Sequence, residues 1–417
     1  MNNITQEFIA YLFNKADCIT DSILAKADSC KQDYFSVAFA GAAKNKKHWE
    51  SILNNTDEGK SELIGYVKRV DEKTAALING FNAHALELDD GQRFAMIHLG
   101  ASIISAIKAA ADNISISNNA FLTGIIMGYE AACRVAIAMQ PSHKNRGYHT
   151  AGTCGTIGSA VGVAFALGMD KEQLNVVLTC AAGSAAGILE IQEQNSEIKP
   201  YNVGRAAMDG LTSAYMGYTY FMTPDDMFGG DRGFFRIFAD EFYSNKLIED
   251  TDYFEIERIY VKPYASCRHS HSAVEAAIRL HESIDINEID TVDVLTYKLG
   301  VKGHDHNDIH SVAAAKLSTP YAVAAGLIYG RADLSVFEPI DAQIVELAKK
   351  VVVSEDAALT AESPKMRIAI VKVTMNDGRL LESRVDYAKG DPENPMTDEE
   401  LAEKRRLLES YASKLNN

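Results

Sequence analysis

Over the first 250 residues, apolar positions recur at three- and four-residue steps, the period of helices buried along one face. From Phe94 to Ala111 the series Ala95, Ile97, Leu99, Ile103, Ile104, Ile107 and Ala110 follows that step and predicts a helix over 94–111. A second helix is predicted over 119–139, a stretch rich in Ile, Ala and Gly. Segments 155–167 and 175–190 differ, since Gly, Ala and Ser cover nearly every face. Helices of small residues all round are buried and approach their neighbours closely. Alternation of β-branched residues is not found before about residue 255.

Beyond that point the period changes. Glu257 to Lys262 alternates like a short strand, 271–283 reads as a helix, and Ile289 to Tyr297 reads as a second strand. Helices are predicted over 314–329 and 341–351. Residues 367–385 form a hairpin pattern whose turn, Asp377-Gly378, tolerates positive φ. The tail from Pro395 to Leu415 opens on Thr397-Asp-Glu-Glu400, a helix start with acids at the positive end of the dipole. The predicted fold class is therefore mainly α. A large all-helical domain spans 1–255 plus 391–417, and a smaller α+β lid domain, 256–390, is inserted before the C-terminal helix. A chain of 417 residues exceeds one ordinary core, in keeping with two domains.

Composition narrows the function. At 47% hydrophobic and 24% charged residues the chain has a globular profile. Its net charge of −16 repels phosphate backbones, so no nucleic-acid partner is expected. A few local cations can still define a pocket for an anion. The six cysteines, at 18, 30, 133, 154, 180 and 267, form no CxxC pair, and no Cys/His spacing matches a zinc site, a pattern that fits a reducing compartment. The N-terminal residues lack the charged and apolar regions of a signal peptide, and no apolar run approaches the length that spans a bilayer. The expectation is a cytoplasmic protein without a membrane partner.

The densest chemistry lies in Lys262-Pro-Tyr-Ala-Ser-Cys267-Arg268-His269-Ser-His271, directly before an Ala-rich helical pattern. Imidazoles that titrate near neutrality stand beside fixed cations, a combination suited to binding a carboxylate and moving a proton next to it. A polar helix N-terminus without chemistry is the plain alternative. His149 sits in a Gly-rich loop entering a small-residue helix, where backbone amides can hold an anion or simply make a tight turn.

Three further stretches, taken with this segment, resemble the MmgE/PrpD family: His84-Ala-Leu-Glu-Leu-Asp89-Asp90-Gly-Gln-Arg93 with Ile97-His98-Leu-Gly100; Arg146-Gly-Tyr-His149-Thr-Ala-Gly-Thr153-Cys-Gly155; and Lys199-Pro-Tyr-Asn202-Val-Gly204-Arg205. The resemblance covers most of the chain. It implies a large helical domain carrying an α+β lid, a homodimer, an active site in the cleft between the domains, and no cofactor. It implies chemistry on a small-molecule polycarboxylate: proton transfer at the carbon next to a carboxylate, with loss of water or CO₂. An epimerase of an amino- or imino-dicarboxylate needs the same proton abstraction and stays open. So does a catalytically silent polycarboxylate-binding protein on the same fold. The catalytic set implied is His98, Asp90, Lys199, Lys262, His269 and His271, and the substrate-binding set is His149, Arg205, Cys267 and Arg268. Whether Asp89 or Asp90, and His269 or His271, faces the site is left open. Glu87, Gly91, Leu99, Asn202 and Cys267 depart from residues common in the family.

Overall fold

The computed structural model describes residues 3–416, so Met1, Asn2 and Asn417 lie outside it. The chain divides into two compact units. One comprises 1–192, 198–259 and 401–417, and the other 193–197 and 260–400.

The first unit is built from helices α1 (Ile4–Ala16), α2 (Asp21–Asn54), α3 (Glu72–His84), α4 (Gly100–Ala111), α5 (Asn118–Met139), α6 (Ser142–Asn145), α7 (Thr150–Ala166), α8 (Lys171–Ser184), α9 (Tyr201–Met216) and α10 (Phe234–Phe238). Among its described residues the only strands are the two-residue pair β1 (Ser61–Glu62) and β2 (Arg69–Val70). The small-residue segments behave as their composition demands. A Cβ added at Gly158 on α7 would stand 2.7 Å from the Gly128 carbonyl oxygen and 2.7 Å from Ala132 Cβ, both on α5. Only glycine lets these two backbones meet at that distance. Helix α5 is apolar and long enough to cross a bilayer by composition, against the expectation that no run comes close, but 78% of its apolar window is buried in the unit. It also carries the buried pair Glu130 and Arg134, with Nε 2.8 Å from Oε1, so it is read as a core helix.

The helix expected over 94–111 begins only at Gly100. Residues 92–97 form a tight loop closed by Gln92 N–H to the Ile97 carbonyl (2.9 Å), with Met96 at φ +51°. That left-handed residue interrupts the helical period and swings His98 back beside residues 89 and 90. The segment expected as one helix over 175–190 ends at Ser184, and a 3₁₀ stretch, Leu189–Asn195, follows.

The second unit holds a four-stranded sheet of β3 (Ile289–Thr296), β4 (Val351–Glu355), β5 (Ala369–Met375) and β6 (Leu380–Val385), in the order β4-β3-β5-β6. β3 pairs parallel with β4 and antiparallel with β5, and the β5–β6 hairpin turns at Gly378, φ +85°. Helix α11 (His271–Leu280) packs on β5 and β6 and against α14 (Thr319–Tyr329). The helix expected over 314–329 is two, α13 (Val312–Leu317) and α14; Ser318 ends the first and caps the second by accepting from Tyr321 N–H. The strand expected at 257–262 is not formed. Residues 255–258 make a 3₁₀ turn, and Val261 donates to the Gly390 carbonyl at 3.0 Å. Short helices α12 (Lys298–Val301), α15 (Ala342–Ala348) and α16 (Ala357–Glu362) also belong to this unit.

Helix α17 (Asp398–Asn416) begins with the predicted capping box: Glu400 N–H donates to Thr397 Oγ1 and Thr397 N–H to Glu400 Oε2. Within the first unit its Lys404 donates to Asp33 at 2.6 Å and to the Leu88 carbonyl at 2.9 Å. The tail thereby pins the backbone beside Asp89.

Candidate active site

In the helical unit, α3 is capped at its start by the Asp71 carboxylate, which accepts from the amides of residues 73 and 74, and delivers His84 at its last turn. Glu87 adopts φ +57°, an uncommon value for a residue with a Cβ. The turn it makes returns the chain, so that Asp89 Oδ2 lies 2.7 Å from His84 Nδ1. The same oxygen lies 3.3 Å from His98 Nδ1. His98 Nδ1–H also donates to the Asp90 carbonyl at 2.9 Å, which leaves Nε2 as the nitrogen able to accept or give a proton. The His84 and His98 rings are 4.9 Å apart, and the His149 ring is 6.3 Å from His84. Asn202, on the first turn of α9, donates from Nδ2 to His149 Nδ1 at 3.1 Å and so assigns the ring proton to Nε2. Lys199 forms a salt bridge with Glu87. Three imidazoles, two carboxylates and one ammonium thus gather where α3, α4, α7 and α9 meet.

Burial sets the charges here. It pushes the Asp89 carboxyl up, but the adjoining His84 and His98 imidazoles outweigh it and hold Asp89 well below the usual range. Burial and then Lys199 hold His149 well below an ordinary histidine. Burial also lowers His84, with Asp89 pulling the other way. The stable arrangement at neutral pH is an ionised Asp89 receiving a proton-bearing nitrogen from neutral His84. His84, Asp89 and His98 are the trio among the described residues whose donor atoms lie close enough, within 4.8 Å, to consider for a metal. Yet 2.7 Å between His84 and Asp89 is a shared-proton distance. The edge of a tetrahedral zinc site with bonds of about 2.1 Å is about 3.4 Å.

Asp90, expected in the catalytic set, turns the other way. Its carboxylate accepts from Tyr129 Oη at 2.5 Å and from Gly100 N–H at 2.9 Å, capping α4. Successive side chains of a non-helical segment face opposite sides, so one aspartate takes the site and the other the core. Arg205, expected to bind substrate, instead pairs with Asp209 and donates to the carbonyls of Ser184 and Ala186, holding the loop after α8.

The α+β unit has a cluster of its own. Lys262 is fully buried. Arg268, expected to hold a substrate carboxylate, is buried with its guanidinium 2.6 Å from Asp391, 2.8 Å from His271 Nδ1 and 4.6 Å from the Tyr260 ring centre. His271, expected as a proton carrier, donates from Nε2 to the Ser266 carbonyl at 3.1 Å. Both of its nitrogens are committed and its ring is fully buried, which gives it a structural role. His269 is half-buried; its Nδ1 shares a 2.6 Å hydrogen bond with Tyr297 Oη, and its ring stacks 5.4 Å from that of His304. His304 donates from Nδ1 to the Leu317 carbonyl at 3.0 Å and presents Nε2 to Cys267 Sγ at 3.7 Å.

The sequence reading did not single out His84, Tyr297 or His304. For His304 a signal existed, since 304, 306 and 310 are all histidines within one loop. Tyr297 ends an unremarkable strand and offered none.

Buried neutral histidines tie folding to pH. His84, His143, His149 and His271 are all pushed down, chiefly by burial, His143 to about 4. The unfolded chain protonates them near 6.5 and the folded one only at lower pH. Their contribution is therefore complete above about pH 6.5 and is lost as pH falls, with His143 alone worth about 3 kcal/mol by pH 4. Urea unfolding between pH 7.5 and 4.5 is expected to show a steadily falling free energy. A flat profile contradicts the buried-neutral assignment.

The chain thus carries a histidine–carboxylate–lysine cluster in a helical unit and a second histidine cluster in an α+β unit. Comparison with known proteins gives the family. The MmgE/PrpD N-terminal domain matches residues 8–245 and the MmgE/PrpD C-terminal domain matches 264–415. The chain belongs to the MmgE/PrpD family. It is similar to the cis-aconitate decarboxylase-like protein oryM of Aspergillus oryzae, 26% identical over 98% of this chain and 91% of that protein. It is also similar to the cis-aconitate decarboxylase of Aspergillus terreus (24%, 98% and 89%) and to that of Homo sapiens (21%, 97% and 88%).

Proposed function

We propose that this protein is a lyase acting on a small di- or tricarboxylate, with proton transfer at the carbon next to a carboxylate. The observation that carries this is His98: its Nδ1 is anchored to the Asp90 carbonyl and sits beside the ionised Asp89, so its Nε2 can work as acid or base. Lys199 supplies an ammonium in the same cluster, and its Glu87 partner makes that charge available by exchange with a substrate carboxylate. His149, proton on Nε2, donates to a substrate oxygen and stabilises the enolate-like charge that develops. Relatives named as cis-aconitate decarboxylases support a tricarboxylate and loss of CO₂.

A thermal-shift panel tests the substrate class, since a ligand that binds only the folded form stabilises it by about 2.7 kcal/mol at 100 times its Kd. Aconitate-like and citrate-like acids are expected to raise the melting temperature, and Lys199→Met to abolish the rise. If monocarboxylates act as strongly as tricarboxylates, or no polycarboxylate acts at all, the proposal fails.

A further inference from the structure

We infer that His84 is a positioning residue, a neutral imidazole fixed as the Nδ1–H tautomer whose hydrogen bond holds the Asp89 carboxylate in place for His98. The inference rests on the reading of His98 as the acid–base group. One oxygen, Asp89 Oδ2, stands between two rings, 2.7 Å from His84 Nδ1 and 3.3 Å from His98 Nδ1. The His84 contact is the shorter of the two and fixes the direction in which that oxygen faces His98.

His84 is built for the task. Its side chain is 0% exposed, so no substrate atom reaches it. It ends a helix whose first turn is capped, which fixes the ring's origin. Its Nε2 is buried with no hydrogen-bond partner. That orphan decides the protonation state. A buried lone pair without a partner is tolerable, whereas an N–H of a charged ring buried there without an acceptor is costly. The proton therefore resides on Nδ1 and points at Asp89. The charged and titratable groups nearby are Asp89, Lys199, His98 and His149, and Lys199 further disfavours a second proton on the ring. The result is a dipole that orients an anion without neutralising it, leaving the full charge of Asp89 for the imidazolium that forms when His98 takes a proton.

Long-range ¹H–¹⁵N correlation spectra of histidine-labelled full-length protein test this without any substrate. His84 is expected as the Nδ1–H tautomer and unchanged from pH 8 to 5.5. An Nε2–H tautomer, or a midpoint near 6.5, overturns the inference. Two variants give the kinetic arm. His84→Asn places an amide donor near the site of Nδ1, and His84→Leu keeps volume without a donor. The expected result is that His84→Asn stays within about tenfold of wild-type kcat, while His84→Leu falls about 100-fold with little change in KM. Equal activity of the two overturns the positioning role, and if His84→Leu does not fold, the spectra and His84→Asn still decide it. The two readings fail separately: full activity in His98→Gln removes the catalytic reading, whereas an inactive His98→Gln beside a fully active His84→Leu removes only this one.

Discussion

The His98→Gln variant is expected to fold like wild type and to lose about 10²–10⁴-fold in kcat on whichever polycarboxylate the enzyme turns over, with a much smaller change in KM. Glutamine keeps the length and the hydrogen-bonding capacity of the side chain but cannot carry a proton between substrate and solvent. The His98 side chain is only 18% exposed, so the similar volume and polarity of glutamine are what preserve the packing. Steady-state kinetics with a melting curve as control check this. A kcat within threefold of wild type, in a folded variant, removes His98 from the chemistry.

The second large effect separates two neighbours. Asp89→Asn is expected to cost about 10²–10³-fold in kcat and about 1–2 kcal/mol of stability, because it removes the charge that balances His98 and that the fold favours, while leaving an oxygen for His84. Asp90→Asn is expected to leave kcat near wild type and to lower stability by about 1–2 kcal/mol, since it weakens the bonds to Tyr129 Oη and Gly100 N–H. Kinetics and urea unfolding on both variants check the pair. Reversed outcomes would mean that the loop places Asp90, not Asp89, among the imidazoles.

These two aspartates also show how far the sequence can be read. The motif from His84 to His98 marks the region, and the residue types mark proton chemistry. Which carboxylate faces the imidazoles depends on the φ of +57° at Glu87 and +51° at Met96, values that no hydrophobic period encodes. The helices over 118–139 and 150–166 and the 369–385 hairpin were legible because their patterns run long and their turn and cap residues agree. β4 was not: the helix expected over 341–351 ends at Ala348, only a two-residue turn precedes Val351–Glu355, and its parallel partner β3 lies about 60 residues away, so no local signal announces it. Arg205, Arg268 and His271 look like ligand-binding groups in one dimension. Their partners, Asp209, Asp391 and the Ser266 carbonyl, show that the fold has already taken them.

The most direct measurement is deuterium exchange. Wild-type protein and His98→Gln are incubated with a panel of tricarboxylates and dicarboxylates in D₂O, and label at the carbon next to a carboxylate is followed by NMR and mass spectrometry. Enzyme-dependent incorporation at that carbon, together with loss of CO₂ or water in wild type and neither in the variant, is the predicted result. Incorporation without loss of either group would make the enzyme an isomerase. No incorporation above the enzyme-free rate for any acid that binds would contradict proton transfer by this cluster altogether.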